Sequence, residues 1–285
     1  MGTTAAGAQL PHAPPLTVVS FNIRYGTAAD GPDAWPTRAS QVIDLIRALD
    51  PDVLGLQEAL RFQLDQLGDA LPEYGEIGVG REDGRTAGEY AAILYRRERL
   101  QLVDQGTFWL SDTPTVPNSM SWGNRITRIA TWARFVDRST RNEFAVFNVH
   151  FDHESQPSRE RSAVLVASRL PSDVPVILLG DFNAGEENRA MRYLTGRQTL
   201  EAPDREHRSP RPLRDTYRAI HRDEAEVGTF HGFRGGTAGE KIDAILASPA
   251  WEVLDAAIVR AQVDGRYPSD HYPVTTRLRW RGPRP

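Results

Sequence analysis

The chain has 285 residues, of which 40% are hydrophobic and 25% charged, and it contains no cysteine. These figures exclude a largely disordered protein, a disulfide or zinc miniprotein, a thiolate metal site and a cysteine nucleophile. With 34 basic against 38 acidic residues the net charge is −4, a poor balance for nonspecific duplex DNA binding, which counterion release to a basic surface drives.

Residues 1–15 (MGTTAAGAQLPHAPP) lack a basic start and an apolar core, so they read as a disordered leader rather than a secretory signal. A short apolar run at 16–21 reads as a buried strand. A helix follows over 36–49, with Val42, Ile43, Ile46 and Leu49 on one face and Pro51 behind its end. A strand at 53–56, a helix over 59–71 and a strand at 90–95 come next. Weaker strands fall at 100–109 and 129–136, then a clear one at 144–149. The helix over 158–170 aligns Ala163, Val166, Ala167 and Leu170. A strand at 174–179, a short helix over 187–194, a strand at 242–247 and weaker strands at 253–259 and 274–278 complete the pattern, and 281–285 is a tail. No apolar run approaches the roughly 18 residues that span a bilayer, and no stretch reads as an interdomain linker; the expected location is the cytoplasm. The expectation is one domain over 16–280. Helices and strands intermix early, while later segments run strand after strand, the pattern of a layered α/β sandwich rather than a βαβ barrel.

The informative residues stand at the strand ends. Asn22 follows the first strand and Glu58 the second. His150, with Asp152 and His153, follows the strand at 144–149, and Asp181 and Asn183 follow the strand at 174–179. Ser269-Asp270-His271 precedes the last strand. One such acid is ordinarily a turn former or a helix cap, but the set is not what independent capping would produce. In layered α/β folds ligands sit in the crevice beyond the strand ends. Carboxylates and amides suit a hard cation, Mg²⁺ or Mn²⁺, and the scattered histidines do not form a zinc motif. The chemistry that follows is phosphoester hydrolysis, with a polarised phosphoryl oxygen and a carboxylate-oriented water. Lys241 is the only lysine, leaving 33 arginines. That excess reads as codon bias first and as phosphate binding second.

Ser20-Phe21-Asn22-Ile23-Arg24, Leu56-Gln57-Glu58, Asn148-Val149-His150-Phe151-Asp152-His153, Gly180-Asp181-Phe182-Asn183-Ala184, Lys241-Ile242-Asp243-Ala244-Ile245 and Ser269-Asp270-His271-Tyr272-Pro273-Val274 resemble, in order, the motifs of the endonuclease/exonuclease/phosphatase (DNase I-like) superfamily. The stretches 108–114 and 128–135 resemble its bacterial branch nearest the deadenylase/nocturnin group. The resemblance implies a four-layer α/β sandwich with two central, mostly antiparallel β-sheets flanked by helices. It also implies Glu58, Asn22 and Asp270 at the metal, and Asp181 orienting or deprotonating the attacking water. Asn183 would hold the scissile phosphate, His150 would donate to it, and Glu89 would orient His150. His271 would sit on the phosphate or the water, steadied by Asp243. Asn22 would also contact phosphate, joined as substrate-binding candidates by Arg128 and His153. Arg24, Arg125 and Arg128 are each at least equally readable as solvated loop arginines, His153 is equally readable as a satisfied loop histidine, and His231 reads more readily as a residue outside the cleft; among Trp35, Trp109, Trp122, Phe230 and Phe233 one or two at most would face the cleft. Loops at 28–35, 112–124 and 201–211 would shape the pocket.

A small, soluble phosphoester is therefore the expected partner: a nucleotide, a sugar or inositol phosphate, or a lipid headgroup. Single-stranded nucleic acid is the alternative, and duplex DNA is disfavoured. A noncatalytic binding protein on this scaffold would need a damaged site, and the motif residues are all present. The sequence carries no signal for an oligomeric state.

Overall fold

The computed structural model describes residues 14–201 and 206–281. Residues 1–13 of the leader, 202–205 of the loop at 201–211 and 282–285 of the tail lie outside the described residues.

Two six-stranded sheets face each other. The first is built from β1 (Leu16–Asn22), β2 (Val53–Ala59), β3 (Tyr74–Ile77), β4 (Tyr90–Arg96), β13 (Trp251–Ile258) and β14 (Val274–Trp280), in the order β13-β14-β1-β2-β4-β3. The second is built from β5 (Leu100–Trp109), β6 (Ile129–Asp137), β7 (Glu143–His150), β8 (Val176–Asp181), β11 (Arg214–Asp215) and β12 (Asp243–Ala247), in the order β11-β12-β8-β7-β6-β5. A two-stranded ribbon, β9 (Leu200–Glu201) with β10 (Glu206–His207), stands apart. Helices α1 (Trp35–Leu49) and α2 (Arg61–Ala70) belong to the first half, and α3 (Gln156–Arg169), α4 (Arg189–Leu194) and α5 (Thr216–Ile220) to the second.

Each sheet contains one parallel pair at its centre, β1/β2 in one and β7/β8 in the other, and every other pairing is antiparallel. A parallel pair needs a crossover, and α1 and α3 supply the two. The strands alternate accordingly. Val18 packs between the sheets with Val53, Ile93, Val146, Ile177 and Ile245. Its neighbour Val19 packs outward with Val42, Ile46, Leu64 and Leu67 of α1 and α2. On the far side, Phe147, Val149 and Leu178 meet Ala163, Val166 and Ala167 of α3. Helix, sheet, sheet, helix is the four-layer sandwich that the sequence implied.

Boundaries moved where tertiary pairing overrode local pattern. The second helix begins at Arg61, not at 59, because Ala59 still pairs with Tyr90 across a bulge at Glu58. The strand expected from 174 begins at Val176, after Pro175, which has no N–H for a ladder. Helix α1 ends at Asp50 in the left-handed region, just before Pro51. The short elements β3, β9, β10, β11 and α5 carry too few residues for a readable period.

Candidate active site

The topology gathers the site at one end of the sandwich. The carboxyl ends of the parallel strands β1, β2, β7 and β8 all point there, carrying Asn22, Glu58, His150 and Asp181. Each parallel pair has antiparallel neighbours, whose first residues lie at the same end. Glu89 thus precedes β4 beside Glu58, Asp243 opens β12 opposite Asp181, and Asp270 and His271 precede β14 beside β1. Seven chain segments, far apart in sequence, reach one cleft of about 430 Å³. Arg24, Tyr25, Glu58, Arg81, Glu89, Arg128, His150, His153, Asp181, Asn183, Phe230, Asp270 and His271 line it.

Glu58 sits in the bulge with φ 62°, and Asn183 has φ 46°. Left-handed backbone in a bulky acid is costly and turns the side chain out of the strand's alternation toward the cleft. The Asn22 amide donates to Glu58 Oε1 at 2.9 Å and to Asp181 Oδ2 at 3.0 Å, bridging the two sheets. Its oxygen accepts the Arg24 N–H at 3.0 Å, so both ends of Asn22 are engaged within the protein. The Tyr25 N–H reaches Glu58 Oε2 at 3.1 Å. Asp181 Oδ1 accepts the Asn183 N–H at 2.8 Å, and the Asn183 amide donates to Phe151 O at 3.0 Å.

Two imidazoles flank Asp181, with His150 Nε2 at 3.6 Å and His271 Nε2 at 3.9 Å from its Oδ2. They are held in opposite ways. Asp243 takes His271 Nδ1 at 2.9 Å. Burial opposes charge on His271, yet Asp243, Asp181 and Asp270 outweigh it and hold the imidazolium well above its ordinary range. Burial, reinforced by Arg128 and Arg81, pushes His150 well below that range. Burial with Asp243 alongside raises Asp181 to about 7 against the pull of His271. Burial also raises Glu89 to about 6 against Arg81, and raises Asp270 against His271. Close carboxylates that resist joint ionisation are what a cation would relieve.

Glu58, His150 and Asp181 each present an atom within 4.8 Å of the others, as do Asp181, Asp243 and His271. Carboxylate oxygen dominates both groups, which fits a hard divalent cation.

Of the weaker sequence candidates, Arg24 lines the cleft, paired with Asp30 and 3.7 Å from Asp270. Arg128 is buried at the cleft wall and joins His150 and His153. Arg125 stands at 84% side-chain exposure, 3.8 Å from Glu154, and is not among the lining residues. His231 is buried, stacked on Tyr272 with centroids 4.0 Å apart. Of the five aromatic candidates, Trp35 and Trp109 are core and Phe230 is the one that lines the cleft.

Sequence reasoning missed two arginines. Arg81 grips Glu89 with two hydrogen bonds, 2.8 and 2.7 Å. Arg38 on α1 donates to the backbone oxygens of Ile23, Arg24 and Pro268, tying the segment before Asp270 to the segment after Asn22. The only signal for Arg38 was an arginine on the helix face that carries Trp35, Val42 and Ile46.

The sequence profile of the Endonuclease/Exonuclease/phosphatase family matches residues 19–271. The chain belongs to that family, whose members hydrolyse phosphoesters. An endonuclease/exonuclease/phosphatase from Bacteroides vulgatus superposes with TM-score 0.83 at 34% identity, covering 93% of this chain and 99% of that one. A mannosyl-6-phosphatase from Bacteroides thetaiotaomicron superposes with TM-score 0.81 at 33% identity, covering 92% and 99%. Among curated sequences, an uncharacterised protein of Acanthamoeba polyphaga mimivirus is 30% identical over 60% of this chain and 68% of its own length. Drosophila melanogaster nocturnin is 26% identical over 53% of this chain but only 24% of its own length, in line with the branch the motifs resemble. Among the described residues no helix is long and apolar enough to cross a membrane.

Proposed function

We propose that the chain is a divalent-metal-dependent hydrolase of a small phosphoester, acting by attack of water on phosphorus. The observation that carries this reading is the convergence of Glu58, His150 and Asp181, each with an atom within 4.8 Å of the others, in the same cleft as Asp270 and His271. Glu58 and Asp270 would hold Mg²⁺ or Mn²⁺, with Asp181 and His150 within reach of the same space. The ion when bound would polarise a phosphoryl oxygen and offset its added charge.

The chain's own residues would do the rest. Asp181, poised near neutral pH, orients the water and takes its proton. His271, charged through Asp243, places an N–H on the phosphoryl oxygens, and Asn183 and Arg128 add donors at the cleft wall. Asn22 keeps Glu58 and Asp181 in register across the two sheets. Glu89 orients His150.

The substrate class follows from size and kinship. A cleft of about 430 Å³ suits one phosphorylated sugar or nucleotide rather than a length of strand. The mannosyl-6-phosphatase likeness, at 33% identity over nearly all of both chains, supports a sugar phosphate first.

The test is a screen of sugar phosphates, nucleotides, glycerophosphodiesters and short single-stranded oligonucleotides with Mg²⁺, with Mn²⁺ and with chelator. Turnover of a small phosphoester that chelator abolishes is the expected result. Activity that persists in chelator overturns the metal requirement. No turnover, together with no calorimetric binding of Mn²⁺, would leave a binding protein on this scaffold.

A further inference from the structure

We propose that Phe230 selects the leaving group by stacking on a flat-faced ring of the phosphoester, which makes the preferred substrate a ring-bearing phosphate rather than an acyclic one. The inference rests on the reading of the cleft as a phosphoester site and deepens it. Aromatic side chains this near the chemistry are otherwise accounted for. Trp35 and Trp109 are buried, Trp122 donates to Asp112 at 2.8 Å, and Phe233 lies under the Arg38 guanidinium at 5.7 Å. Phe230 both lines the cleft and is 48% exposed. The ring thus borders both the cleft and the His271 imidazole while keeping about half its surface open to a ligand.

The ring is also held in place. Phe230 forms a β-bridge with His271. On one side, Tyr272 N–H bonds to Thr229 O at 2.8 Å. On the other, His231 N–H bonds to Asp270 O at 2.8 Å. The Thr229 hydroxyl accepts the N–H groups of Ile242 and Asp243 at 3.0 and 3.1 Å. The segment bearing Phe230 is thus zipped to the segments bearing Asp243, Asp270 and His271. Its ring centre is fixed 5.0 Å from the His271 imidazole, tilted by 60°. A phosphoryl group resting on His271 would put the first ring of its ester beside Phe230. Tyr25, whose ring is covered by Arg24 at 4.7 Å, also lines the cleft. An acyclic ester offers Phe230 no face to cover.

The experiment compares parent, F230A and F230Y, loaded with Mn²⁺, on glucose 6-phosphate, adenosine 5′-monophosphate and glycerol 3-phosphate. The preference for ring over glycerol substrate, as a ratio of kcat/KM, should fall roughly tenfold to a hundredfold in F230A, mainly through KM, and persist in F230Y. Whichever ring phosphate loses more identifies a sugar or a base as the stacked partner. An unchanged ratio in F230A, or equal loss on all three substrates, overturns the proposal. Should the parent turn over none of them, the hydrolase reading is decided separately by the wider phosphoester screen. Calorimetric titration of the Mn²⁺-loaded proteins with the same compounds then decides Phe230. A parent that binds no ring phosphate, or an F230A variant that binds it as tightly as the parent, overturns the stack.

Discussion

Arg128 donates a guanidinium N–H to His150 Nε2 at 2.9 Å. Arginine has no acceptor, so this contact leaves His150 in the neutral tautomer with its proton on Nδ1, facing Glu89 Oε2 at 3.7 Å. A second guanidinium N–H goes to His153 Nδ1 at 2.8 Å, and Asp152 stands 3.5 Å from Arg128 Nε. The cation most deeply set in the cleft wall is therefore engaged with imidazoles before any substrate arrives. A phosphate entering the cleft would compete with His150 for the Arg128 fork.

Arg128→Met should free His150 Nε2 and lower kcat/KM on the best phosphoester by roughly tenfold to a hundredfold, the loss of one charge-assisted donor. Nitrogen-15 NMR of the histidine rings checks the positioning. The parent should show His150 protonated at Nδ1 only, and the variant a mixture of tautomers. The same single tautomer in both proteins would remove Arg128 from that role.

Asp181→Asn should cut kcat by roughly a hundredfold to ten-thousandfold, the usual worth of a positioned general base. Stability should change little. Asp181 is fully buried and its charge is disfavoured there, so a neutral isostere that still accepts the Asn183 N–H avoids that cost, which offsets the loss of the Asn22 donation to Oδ2. A thermal melt alongside the kinetics separates the two effects, and a collapse in Tm would mean that Asp181 serves the fold.

Glu58→Gln should weaken Mn²⁺ binding, read by calorimetry without substrate, by about tenfold or more, since a carboxylate ligand of a hard cation is lost. Asn22→Ala should weaken it less, because the Asn22 amide only aligns Glu58 and Asp181. Equal affinities in parent and Glu58→Gln would move the metal away from β2.

The stability that His231 contributes should be lost as the pH is lowered from about 6.5 toward 4, opposite in sign to the buried carboxylates Asp181 and Glu89, whose raised values favour the folded state on acidification. Burial, with His271 nearby, depresses this imidazole from 6.5 to about 4. Between those values the unfolded chain takes up the proton and the folded protein does not. Its contribution is thus complete above the unfolded value and lost as pH falls through the folded one. The effect is on the order of 2 kcal/mol, allowing for partial solvent screening. Denaturant titrations across this range should show the stability of the parent relative to His231→Phe, which keeps a ring stacked on Tyr272, falling as the pH drops, and a constant difference would remove His231 from that role.

What the sequence by itself determined was the list of polar groups that meet at one end of the sandwich and most of the strands that carry them. Buried parallel strands are near-continuous apolar runs, so β1, β2, β7 and β8 declare themselves, and the polar residue after each is conspicuous for that reason. Asn22, Glu58, His150 and Asp181 were legible on those terms, while Glu89 and Asp243 came only through the family resemblance. Only the tertiary structure decided how the groups are shared. The bulge that turns Glu58 inward depends on β4 pairing with β2, and the opposite charge preferences of His150 and His271 depend on burial and on Arg128 and Asp243 arriving from other segments. Arg81, Arg38 and the outward ring of Phe230 leave no periodic trace. Strand propensity and hydrophobic period are local properties. A pKa, a tautomer or a stacking face is set by neighbours that may lie, as Asn22 and Asp181 do, 159 residues apart.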